Sequence, residues 1–135
     1  MQPHVIRGGP LSVLIALADP SFDVAPILPA LRPHYALVCA TPAQAVETAN
    51  QFEPDVVLID FRMPDPWALA RRLAQAAGVG NIVFVAMSNA AGPAPTGFQY
   101  HLPVPATASD LENLLWQIGR IGARHAVQPG TEMIG

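Results

Sequence analysis

Five short apolar runs alternate with helix-forming stretches along this chain, and that alternation limits its fold more than any other feature. The runs are Leu11–Leu17, Tyr35–Ala40, Asp55–Ile59, Ile82–Met87 and Phe98–Leu102. Each has strand length, and most are apolar throughout instead of alternating with polar residues, which marks strands buried on both faces. Strands of that kind, joined through helices, form a parallel sheet covered on both sides by right-handed crossovers. The expectation is an α/β, doubly wound chain.

The intervening stretches carry their own signals. Val24, Ile27, Leu28 and Leu31 recur at helical spacing, but Pro26 and Pro29 should shorten or distort that helix. Thr41 can cap the next helix, with Pro42 at its first position and Gln44 completing a capping box. Asp65-Pro66 opens a third, running through Leu69 and Leu73 to a stop near Gly78. Ser109 and Glu112 read as a further capping box, ahead of a helix with Leu111, Leu114, Leu115, Ile118 and Ile121 on one face. Between the fourth and fifth runs the pattern breaks. Asn89–Gly97 holds three alanines, two prolines and two glycines and reads as a loop. The expected organisation is an extension over 1–10, one domain over 11–124 and a tail over 125–135.

Composition narrows the function classes. At 135 residues, 51% apolar and 13% charged, the chain suits one folded domain with a sizeable core. A net charge of −3 gives no basic footprint for nucleic acid and no polybasic segment for an anionic membrane. Cys39 is the sole cysteine, which excludes an internal disulfide and fits a reducing cytoplasm. No segment approaches the about 20 apolar residues of a membrane span. The run Leu11–Ala18 behind Arg7, with Ala16 and Ala18 spaced like a cleavage site, also fits a short signal peptide; its shortness and the helical start that follows favour a buried strand.

In doubly wound sheets, sites form outside the carboxyl ends of the strands. Those ends carry Asp19, Asp60, Ser88 and the segment around His101. The run Pro54-Asp55-Val56-Val57-Leu58-Ile59-Asp60-Phe61-Arg62-Met63-Pro64 resembles the acceptor segment of response-regulator receiver domains, in which a strand-ending aspartate is phosphorylated and a Met-Pro pair follows. The resemblance extends from Leu11 to Arg124. It implies a (βα)5 flavodoxin-like three-layer sandwich with a central five-stranded parallel sheet, here with the fourth helix replaced by the Asn89–Gly97 loop.

Receiver chemistry needs an attacking carboxylate, a divalent cation held by acidic side chains, a lysine on one phosphoryl oxygen and a hydroxyl on another. The resemblance assigns the acceptor to Asp60 and the hydroxyl to Ser88. The other parts are damaged. Leu17 and Ala18 stand where the family has its acidic pair, with Asp19 one residue beyond, so Asp19 and Asp60 make at best a weak magnesium site. Val104, before Pro105, occupies the lysine position, and all seven basic residues of the chain are arginines. The helix after the acceptor begins at Trp67-Ala68 where the family usually has a glycine. The aromatic switch position falls on His101, beside Tyr100.

Simpler roles stand beside these. Asp60 can cap a turn, Ser88 can form one, Asp19 can cap before Pro20, and His101 can simply pack. His4, His34 and His125 show no metal-ligand spacing. Arg62 can extend into solvent or pair with Asp60, and a pair would keep that carboxylate ionised without magnesium. Trp116 lies off the apolar stripe of the last helix, either as a contact surface or folded against the tail. Loss of the fourth helix should bare a sheet face unless the loop or a partner covers it.

The leading expectation is a phosphorylation-independent signalling or scaffolding module of the pseudo-receiver type. It would be no enzyme and would need no cofactor. A protein partner is expected, either a histidine kinase, another signalling protein or a second copy of the chain. One alternative is a receiver phosphorylated on Asp60 with a weakened metal site, magnesium then being required. The other is nucleotide or small-ligand binding at the carboxyl edge, although no glycine-rich phosphate loop is present.

Overall fold

A computed structural model describes residues 10–18, 24–76 and 82–119. Strands β1 (Ser12–Ala16), β2 (Tyr35–Cys39), β3 (Val56–Asp60), β4 (Val83–Ser88) and β5 (Tyr100–Pro103) form one parallel sheet in the order β2-β1-β3-β4-β5. Strand β3 lies in the middle, and all five of its residues are buried. That placement explains its unbroken apolar run and sets Asp60 at the centre of the carboxyl edge.

Helix α1 (Leu28–Leu31) is one turn, preceded by a 3-10 turn over Ala25–Ile27. Pro26 and Pro29 have no N–H to give to a longer ladder, so the helix stays short as its sequence implies. Helix α2 (Pro42–Phe52) begins as expected: the Gln44 N–H donates to Thr41 Oγ1 at 3.1 Å. The Gln44 side chain turns back to accept the Ala40 N–H at 3.0 Å. Helix α3 (Pro66–Ala76) is capped by Asp65, whose Oδ1 accepts the Ala68 N–H at 3.0 Å.

The last helix, α4, is described over 108–119. Its cap differs from the Ser109–Glu112 expectation. Thr107 Oγ1 accepts the Asp110 N–H at 3.1 Å while Asp110 Oδ2 accepts the Thr107 N–H at 2.9 Å. This closes the same reciprocal box two residues earlier.

Two apolar layers sandwich the sheet. On one face Val13, Ile15, Val56, Leu58, Val85 and Met87 meet the 3-10 turn, α1 and α4 through Ile27, Leu31, Leu111, Leu115 and Ile118. On the other, Leu14, Val57, Ile59 and Ala86 meet α2 and α3 through Ala45, Ala49, Leu69 and Leu73. The segment 89–99 contains no helix. Ala94 and Phe98 pack against the second layer in its place, so the loop itself covers that sheet face. Phe98 therefore ends the loop and does not begin β5. Its N–H closes a turn onto the Pro95 carbonyl, and Gln99 engages β4 by accepting the Phe84 N–H at 2.7 Å.

His34 ties the starts of β1 and β2 together, because its Nδ1 accepts the Leu11 N–H at 3.0 Å. Only a neutral ring with its proton on Nε2 can accept there. Burial pushes the His34 pKa down from 6.5. A depressed folded pKa means this contribution is full above the unfolded value and is lost as pH falls through the folded one. Urea denaturation should show His34→Asn losing less stability than the wild type between pH 7.5 and pH 5.5. Equal losses would mean that the ring does not control this pH dependence.

Candidate functional site at the carboxyl edge of the sheet

Asp60 ends the central strand at 3% exposure, the one buried charged residue among those described. Its carboxylate is fully engaged. Oδ1 accepts the Arg62 N–H at 3.0 Å and Arg62 Nε at 3.1 Å; Oδ2 accepts Arg62 Nη2 at 2.8 Å and the Ala18 N–H at 3.1 Å. The turn Phe61–Pro64 makes this possible, since it places the residue 62 backbone and side chain over the strand end. The Met63 N–H closes that turn on the Asp60 carbonyl at 3.1 Å.

The charge follows from these contacts. Burial by itself would raise the Asp60 pKa, but the Arg62 side chain, the backbone N–H groups of Arg62 and Ala18 and the guanidinium charge together bring it below 3.8. Asp60 is therefore a carboxylate at neutral pH, and its counter-charge comes from two residues along the chain. Arg62 itself remains 55% exposed. A planar guanidinium matches two carboxylate oxygens better than a point charge does.

The Ser88 hydroxyl is engaged as well. Its Oγ lies 2.9 Å from His101 Nε2, and His101 Nδ1 lies 3.1 Å from the Gly92 carbonyl. His101 Nε2 also lies 3.3 Å from the Ser88 carbonyl, so the ring tautomer decides which of these bonds it donates and which it accepts. Ser88 Oγ in turn accepts the Ala90 N–H at 3.3 Å. His101 thereby joins the end of β4 to the 89–99 loop at Gly92, whose φ of +112° suits glycine. His101, assigned from sequence to a switch position, lies within hydrogen-bonding distance of Ser88 and of the loop.

Val104 donates its N–H to the Ser88 carbonyl at 3.0 Å and precedes a cis peptide to Pro105. Together with Asp60, Arg62, Met87 and Ser88 these residues line a cavity of about 340 Å³. An apolar isopropyl group thus stands where the resemblance expects an ammonium. Tyr100 is half-buried on β5 beside His101. Trp67 is half-exposed, with its Nε1 donating to the Thr96 carbonyl at 2.9 Å. Its ring meets Phe61 edge-on at 5.0 Å, and Phe61 meets Phe98 likewise at 5.0 Å. Trp116 is 58% exposed on α4. Asp19 lies outside the described residues.

Sequence reasoning did not anticipate the Phe61–Trp67–Phe98 cluster. The available signal was one aromatic, Phe98, closing a segment otherwise built from small residues.

The described donors do not fit a magnesium ion. Among the described residues no three His, Cys, Asp or Glu side chains converge. The Ala18 backbone presents an N–H to Asp60 at the end of β1, where a cation would need an oxygen.

This architecture is that of response-regulator receiver domains. The chemotaxis response regulator CheY4 of Vibrio cholerae aligns over 81% of this chain and 98% of its own, at a TM-score of 0.67 and 16% identity. A CheY-like receiver domain from Methylobacillus flagellatus aligns over the same shares at a TM-score of 0.66 and 24% identity. A putative pilus assembly-related protein from Burkholderia pseudomallei covers 83% of this chain and 91% of its own, at 0.63 and 16%. At these identities the likeness establishes the fold. No protein-family model and no curated protein matches the chain. No helix among the described residues is long and apolar enough to cross a membrane.

Proposed function

We propose that this chain is a phosphorylation-independent interaction module of the pseudo-receiver type, acting in two-component signalling or scaffolding. The carrying observation is the Arg62 guanidinium locked onto both oxygens of Asp60. Attack on phosphorus needs a carboxylate oxygen free to meet the donor and a cation to gather the charge that builds up. Arg62 supplies a cation, but on the oxygens that would have to react. The Ser88 hydroxyl is likewise engaged, by His101 Nε2 at 2.9 Å and by the Ala90 N–H at 3.3 Å. Such a module is no enzyme and has no cofactor. It works in the cytoplasm by docking on a protein, either a histidine kinase or another signalling protein.

One observation favours the alternative: Asp60 and Ser88 line the same cavity, so the acceptor geometry is retained. Intact-mass spectrometry after incubation with acetyl phosphate and excess magnesium separates the two readings. No adduct is expected. A magnesium-dependent phosphoryl adduct that disappears in Asp60→Ala would restore a conventional phosphoacceptor and end this proposal.

A further inference from the structure

The two edges of the sheet are built differently. At one edge, β5 is four residues long and ends in Pro103. At the other, β2 reads Tyr-Ala-Leu-Val-Cys, with no charge and no proline. Natural edge strands are normally blunted by charge, proline or a bulge, because their unpaired N–H and C=O groups invite another strand. Strand β2 has none of these devices, and its register with β1 is unbroken over Ser12–Ala16. It also exposes three large apolar side chains: Tyr35 at 64%, Leu37 at 43% and Val38 at 45%.

The ladder fixes which backbone groups face outward. Tyr35 donates its N–H to the Leu11 carbonyl, and the Cys39 carbonyl accepts the Leu17 N–H. In a parallel ladder every second residue of a strand bonds to the same neighbour. Tyr35, Leu37 and Cys39 thus face β1, while the N–H and C=O of Ala36 and Val38 point away from the sheet. The next outward N–H on each side is already used. His34 donates to the Leu31 carbonyl at 2.9 Å, and Ala40 donates to Gln44 Oε1 at 3.0 Å. The open edge is a frame of two residues, closed at both ends.

We infer that this frame pairs with a second copy of the chain, β2 against β2, antiparallel about a two-fold axis through Leu37. In that register Ala36 of each copy faces Val38 of the other, and the two pairs exchange four N–H···O=C bonds. Shifting the register in either direction sets a used N–H, that of His34 or Ala40, against an open group. Leu37 then faces its own copy at a non-hydrogen-bonded position, where side chains come closest. Because β2 is uncharged, self-pairing sets no like charges opposite one another. Leu28, on the short α1, is a further exposed apolar side chain at 46%. The result is a continuous ten-stranded sheet whose outer ends are the proline-terminated β5 edges. This surface is separate from the Asp60 cavity and does not depend on the state of that site.

The test joins sedimentation velocity to cysteine cross-linking. Wild type should sediment as a dimer and Leu37→Glu as a monomer with unchanged circular dichroism. On mild oxidation Leu37→Cys should form a covalent dimer, since about 4.5 Å between facing Cα atoms lies within the range that a disulfide spans. Wild type, whose Cys39 is buried, and Glu112→Cys on α4 should not cross-link. A monomeric wild type, a dimer that survives Leu37→Glu, or cross-linking at Glu112→Cys without Leu37→Cys would overturn the inference.

Discussion

Replacing Arg62 with alanine is expected to cost about 2 kcal/mol at pH 7, and most of that loss should vanish only as pH falls through the folded Asp60 pKa, below 3.8. Breaking a fully buried ion pair costs more, but half of Arg62 is in water and its share is discounted accordingly. The pH dependence identifies the cause. In the wild type the Asp60 pKa is depressed, so its contribution is present above the unfolded value and is lost as pH falls through the folded one. Without the guanidinium, burial is opposed only by the N–H groups of residue 62 and Ala18, and the folded pKa moves up toward the unfolded value. The gap between the two proteins closes as pH falls through the wild-type folded pKa, because the protonated acid no longer needs a counter-charge. Urea titrations of both proteins at neutral pH and at a pH well below the folded Asp60 pKa measure the difference directly. A gap of similar size at both pH values would show that Arg62 does not set the charge of Asp60.

The largest single loss should come from Phe98→Ala, at about 3 to 5 kcal/mol as for other buried aromatic truncations. Phe98 is 6% exposed, lies edge-on to Phe61 at 5.0 Å and to Phe84 at 6.2 Å, and closes the loop over the second apolar layer. Its removal opens a path for water to β3 and β4. Binding of a dye such as ANS should therefore rise along with the loss of stability. Trp67→Phe keeps a ring against Phe61 and deletes only the bond to Thr96, which lies near the surface, so a cost of about 1 kcal/mol or less is expected. Comparable losses in the two variants would place the anchor in the tryptophan bond and not in the phenylalanine plug.

Strands were legible because doubly buried strands leave continuous apolar runs, and Val56–Ile59 is the clearest of them; their flavodoxin-like arrangement was implied by the family resemblance. Asp60 was legible from its neighbours. The Arg62 pairing was visible as one of two options, since spacing alone does not say whether a side chain folds back or extends. The cap of α4 was misplaced because Thr107–Asp110 and Ser109–Glu112 satisfy the same pattern two residues apart. Phe98 was assigned to a strand because an apolar residue beside Tyr100 reads the same whether it pairs in a sheet or plugs a gap. The bond between His101 and Ser88 left no local signal at all. It joins residues thirteen positions apart and depends on where the loop carries Gly92.

Arg62 reaches Asp60 from within a single turn, and this decides what the sheet edge can sense. A site assembled from the ends of several strands reports on their relative positions, so a change at its centre spreads outward through each of them. Here, three of the contacts to the carboxylate described above come from one neighbouring residue, and one N–H from the end of β1 supplies the rest. The central charge is balanced within its own turn. The same turn is tied to β4, where the Phe61 N–H donates to the Met87 carbonyl at 2.9 Å. A shift in β4 therefore reaches the turn as a whole and carries carboxylate and guanidinium together, without drawing them apart.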